Sequence, residues 1–205
     1  MRQSALAIAI LVSTNRVHAE PDRERTRAVM LDYFAKEKRG GLLLVGMGAG
    51  GLTAGGLLYL RGSSDLTKGM SYPLLGLGVA HVAAGIFVHV ASDRRVEDFS
   101  KTIATDPQAF TTAERTRMKG VSTTFTALKI VEVVLIACGL TTAYFAHRSD
   151  RKTLEGVGYG VAIEAGLTLG FDILASRRAY DYRNDLAAVD TPSGTALVLT
   201  HGGVF

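Results

Sequence analysis

Six ionisable side chains sit inside otherwise apolar stretches of this chain: His81, His89, Lys129, Glu132, Glu164 and Asp172. A charged group costs about 2.5–3.5 kcal/mol at the centre of a membrane helix, so such residues are expected to face protein and to pair. Lys129 and Glu132 are three residues apart and share a helix face. Counted inward at 1.5 Å per residue from the polar ends, Lys129 and Glu132 lie about 14–18 Å deep, and His81 and Glu164 about 20 Å deep. These four form the expected intramembrane polar layer. His89 and Asp172, at about 8 Å, form a shallower polar pair. In the deep layer one ammonium faces two carboxylates, so His81 is placed to be protonated or to donate to one of them. The chemistry open to such a layer is a proton or cation relay, or a small polar ligand pocket. The competing reading is structural: a Lys129–Glu164 bridge, with Glu132 hydrogen-bonded, holds the helices in register.

Other chemistries find little support. His81 and His89 lie on one helix about 12 Å apart, so each would need a haem-ligand partner elsewhere, and their repeat counterparts are Glu164 and Asp172. There is no phosphate-cradling glycine loop followed by Lys-Ser/Thr, and no His-Glu-x-x-His. Ser122-Thr-Thr and Lys129 have no fixed geometry that would make a nucleophile pair. Cys138 is the single cysteine, which rules out an intramolecular disulfide and a cysteine-based zinc site. No catalytic residue, metal site or cofactor is expected.

The elements that must position these groups repeat. With an offset of 83, Arg94-Arg95 falls on Arg177-Arg178, His81 on Glu164 and His89 on Asp172. Gly41 to Leu60 carries no charge, and Gly69 to Ser92 carries none besides its two histidines. Both stretches meet the roughly 20 apolar residues a span requires. The expected fold is all-α, an integral membrane four-helix bundle built from two tandem helical-hairpin repeats. Hairpin 1 covers residues 41–92 and hairpin 2 covers 120–178. A charged amphipathic lead-in helix occupies 20–40, a polar connection 93–119 and a C-terminal tail 179–205. Within the connection, Thr111-Thr112-Ala-Glu114 reads as the start of the helix leading into the third span. Gly46/Gly50 and Gly51/Gly55 are small-xxx-small pairs, which read as helix-packing glycines, either between copies or against the second span.

Residues 1–19 have the form of a signal peptide: Arg2, an apolar run from Ala5 to Val12, then Val17-His18-Ala19. That pattern predicts an exported N-terminus in a bacterial inner membrane. The positive-inside rule predicts the opposite, because the lead-in, the connection and the segment from Arg177 hold fifteen Lys/Arg and the two tight turns five. The net charge of +4 is spread among interleaved acids beside the spans, which fits lipid contact and not nucleic acid. The leading functional reading is a small polytopic membrane protein with a structural or interaction role, not an enzyme. Its expected partners are the bilayer and a second copy or another membrane protein. The alternative is a transporter or channel for protons, ions or small solutes that uses the polar layer.

Overall fold

A computed structural model describes residues 22–189; the signal-peptide reading and residues 190–205 of the tail lie outside the described residues. Four helices account for nearly all of it: α1 (Arg23–Arg61), α2 (Asp65–Thr105), α3 (Pro107–Arg148) and α4 (Lys152–Val189). Side chains cap three of the four starts. Asp22 accepts from the backbone N–H of Glu24 and Arg25, Ser64 from Thr67, and Asp106 from Ala109. At the turn between α3 and α4, Asp150 adopts φ 53°, a left-handed conformation that Asp tolerates better than most residues.

Each helix has 38 to 42 residues, or about 57–63 Å, twice the roughly 30 Å hydrocarbon thickness. Each carries a segment long and apolar enough to cross a membrane. In that half the protein is apolar outside and small or polar inside. Leu42, Leu43, Phe87, Ile130 and Val134 are more than half exposed, whereas Gly48, Gly78, His81, Glu132, Gly158 and Glu164 are buried. Exposed Tyr59, Tyr72, Tyr144 and Tyr159 ring the turn end, and exposed Arg39, Arg94, Lys119 and Arg177 ring the other. The two girdles are separated by about 27–37 Å of helix, which matches the hydrocarbon core.

The other half corrects the expected domain layout. Residues 93–119 are not an open polar connection; α2 continues to Thr105, one residue breaks the chain, and α3 starts at Pro107, ahead of Thr111. Pro107 disfavours helical geometry in its predecessor, and Asp106 takes φ −149°, ψ 91°. The lead-in segment runs straight into the first span within α1, and residues 179–189 continue α4. These extensions bury Met30 and Phe34 from α1, Ile103 from α2, Phe110 and Met118 from α3, and Tyr182 and Leu186 from α4. A second four-helix bundle therefore stands on the membrane half. Its outer faces carry the charges that make those segments look like loops.

α1 packs on α2 and α3 on α4, and α2 and α4 run side by side in the same direction to join the hairpins. Close approach within the first hairpin uses Gly41 against Gly85 and Gly48 against Gly78; within the second it uses Gly139 against Gly158. Gly51 and Gly55 face inward onto Leu74, as a packing role requires. Gly46 and Gly50 do not: both are exposed, with no heavy atom within 4 Å of an added Cβ. The face of α1 that meets α2 runs through residues 41, 48, 51 and 55, and Gly46 and Gly50 point elsewhere. A Cβ at Gly48 would stand 2.5 Å from the Gly78 carbonyl oxygen. Gly48→Ala is therefore expected to lower the melting temperature in detergent. Gly46→Ala, which gains about 0.8–1 kcal/mol of helix propensity, is expected to keep or raise it. Equal shifts in a thermal melt would contradict this packing.

Candidate functional site

The ionisable groups of the spans are organised by α4. Glu164, Thr168, Asp172 and Ser176 follow one another at steps of four. Four residues at 3.6 per turn advance the face by about 40°, so the ladder winds gradually around the helix. Its lower rungs meet α2 and its upper rungs meet α3.

At the lower rungs, His81 Nδ1 lies 3.6 Å from Glu164 Oε2, and His81 Nε2 lies 3.0 Å from the Thr168 hydroxyl. Thr168 donates its only proton to the Glu164 carbonyl oxygen at 2.9 Å, so its oxygen must accept from His81 Nε2–H. That fixes the Nε2–H tautomer when the ring is neutral and leaves the Nδ1 lone pair facing Glu164. The Nδ1 contact is attractive only if a proton lies on one partner or the other. Both groups are buried, and the other Glu164 oxygen lies against Gly51, where an added Cβ would stand 2.9 Å away.

At the upper rungs, Glu132 of α3 lies near Asp172, without a well-formed hydrogen bond closing between them. Both are buried, and Glu132 Oε2 has no hydrogen-bond partner. Two buried carboxyl groups near one another repel when both are ionised. The Lys129 ammonium does not close the expected bridge to Glu132 or Glu164; it donates to Ser176 Oγ at 3.2 Å. Its long side chain reaches toward the membrane surface, where charge is better solvated.

The structure therefore regroups the expected layers. His81 and Glu164 are brought together, Glu132 joins Asp172, and Lys129 sits beyond them. His89 and Asp172 do not pair: His89 packs at the α1–α2 contact, against Gly41, with its Nδ1 unpartnered. Thr168 and Ser176 were missed, although their four-residue spacing from Glu164 and Asp172 is a readable signal.

Above the seam, at the boundary with the outer bundle, lies a cleft of about 90 Å³ to which all four helices contribute. Val88, Phe125, Phe171 and Ala175 make its apolar walls, and Tyr33, Glu37 and Arg178 bring the polar groups. Phe171 and Ala175 bracket Asp172 on the same helix. Glu37 accepts from Ser92 at 2.7 Å and lies 3.6 Å from Arg95, while Arg178 donates to the Lys36 carbonyl at 2.6 Å. A volume of this size holds about three waters at their liquid share.

Beyond the cleft, Tyr33 stacks on Tyr182 with ring centroids 4.0 Å apart. Arg117 donates to both oxygens of buried Glu114 at 2.6 Å. The Tyr182 hydroxyl approaches Glu114 without closing a well-formed hydrogen bond. Burial, and then nearby carboxylates, push both phenols well above their ordinary range. A raised folded-state pKa stabilises the protein below the unfolded value near 10, and that contribution is lost as pH rises through the folded value. In an ultraviolet titration, Tyr33 and Tyr182 are expected to ionise only as the outer bundle unfolds. Ionisation of these two phenols while helicity persists would contradict the buried stack.

No family model, curated protein or solved structure matches this chain.

Proposed function

We propose that this protein binds protons within the membrane and passes them along the α4 ladder. The observation that carries the reading is the excess of acid in the seam: Glu132, Glu164 and Asp172 against one ammonium, which bonds a serine. Lys129 acts on both Glu132 and Asp172 through space but closes an ion pair with neither. Three carboxyl groups outnumber the one ammonium beside them, so repulsion among the acids favours the uptake of protons. Glu164 to Ser176 spans about 18 Å, more than half the hydrocarbon core. The cleft walled by the neighbouring Phe171 and Ala175 offers an approach from the outer-bundle side. In this reading the protein is not an enzyme, and the His81–Glu164 and Glu132–Asp172 pairs are its exchange sites.

The test is reconstitution of the full chain into liposomes loaded with a pH-sensitive dye. Under an imposed pH gradient with potassium and valinomycin, proton flux above that of empty vesicles is expected. Flux no greater than the lipid leak overturns the reading.

A structural or interaction role is the second reading, and the outer bundle favours it. The bundle offers a polar surface to a partner, and the outward Gly46 and Gly50 leave room for close approach by a second copy or another membrane protein. The basic girdle at the foot of the bundle supports a cytoplasmic placement under the positive-inside rule, against the exported N-terminus that residues 1–19 imply. Reporter fusions at Ser64 and Asp106 decide between them.

A further inference from the structure

A shallow groove runs along the lipid-facing side of α2, with Ile86, Phe87 and Val90 along it, small Ala83 and Ala91 in it, and Arg94 and Arg95 at its head. Ala83 to Arg94 covers about 16 Å of helix, the depth of one leaflet of a roughly 30 Å core. The groove is therefore as long as a lipid tail and ends at headgroup level. Its basic end has charge to spare. Asp93 is taken by Lys38 at 2.6 Å, and Glu97 by Lys101 at 2.7 Å. Arg95 shares Glu37 at 3.6 Å but stays over a third exposed, and exposed Arg94 has no ion-pair partner among the described residues, Asp98 included.

We propose that this groove is a binding site for an anionic phospholipid, one acyl chain along Ala83–Ala91 and the phosphate between Arg94 and Arg95. A guanidinium pairs bidentately with a phosphate, and two of them hold it against water. A zwitterionic lipid brings its own cation into this basic corner and gains less. An acyl chain, unlike a free ion, also covers exposed Phe87 and Ile86.

The experiment is native mass spectrometry of the detergent-purified full chain, titrated with phosphatidylglycerol or phosphatidylcholine. Phosphatidylglycerol is expected to be retained about tenfold better, and Arg94→Gln to remove about that factor, as loss of a charge-assisted contact implies. Ala83→Phe fills the groove, keeps both arginines and is expected to lower retention to a similar extent; its exposed position spares the fold. Equal retention of the two lipids overturns the proposal, as does wild-type retention by both variants. Inorganic phosphate competing at the lipid's own concentration overturns it too, since the chain then contributes nothing.

Discussion

Asp172→Asn and Glu132→Gln are each expected to reduce proton flux in the reconstituted protein by about a hundredfold, the scale on which positioned acid–base groups act. The amides keep the shape and hydrogen-bonding capacity of the carboxyl groups but cannot release a proton. In the folded protein they even relieve a difficulty, because a carboxyl near a carboxamide meets no charge repulsion. Melting temperature and expression should therefore hold or rise while flux falls. This opposition separates the proposal from a structural role, in which stability and activity would fall together. His81→Gln removes one exchange site and is expected to lower flux as well, since Thr168 can still donate to the Glu164 carbonyl but no imidazole remains beside the carboxyl. Unchanged flux in the Asp172→Asn, Glu132→Gln double variant would refute transfer through the seam.

Arg117→Met is expected to destabilise the outer bundle by about 3–5 kcal/mol, the cost of stranding a buried charge. Glu114 is 2% exposed and has both oxygens filled by this one guanidinium. The guanidinium also lies 5.9 Å from the Phe99 ring centre, so its loss removes packing between α2 and α3. The double replacement Glu114→Leu, Arg117→Met should recover most of the loss, because two apolar groups need no partner and a buried pair contributes little net stability. Denaturant unfolding followed by near-ultraviolet tyrosine dichroism reports on the Tyr33–Tyr182 stack directly. A single variant that loses less than about 1 kcal/mol, or a double variant no better than the single, would show that Glu114 is solvated.

The membrane half was the more legible part. Lipid solvates its outer faces, so apolar residues accumulate there regardless of which helix packs on which, and hydropathy alone locates the spans. The outer bundle was hidden because each of its helices contributes only a few core residues. Phe99 and Ile103 on α2, or Phe110 and Met118 on α3, are thin stripes among charges. A stripe that narrow becomes a core only when three others meet it. The single-residue break at Asp106-Pro107 looked like part of a loop because its flanks are polar, although the proline marks the boundary by itself.

The sequence by itself determined four long apolar helices arranged as two hairpins, because helical rise and hydropathy are local properties. Tertiary structure alone decided that Gly48 and not Gly46 meets the second helix, and that Glu132 faces Asp172. It also decided that Lys129 reaches past both to Ser176. Helical periodicity says which residues share a face, but the rotation of each helix about its axis is set by the mutual packing of all four.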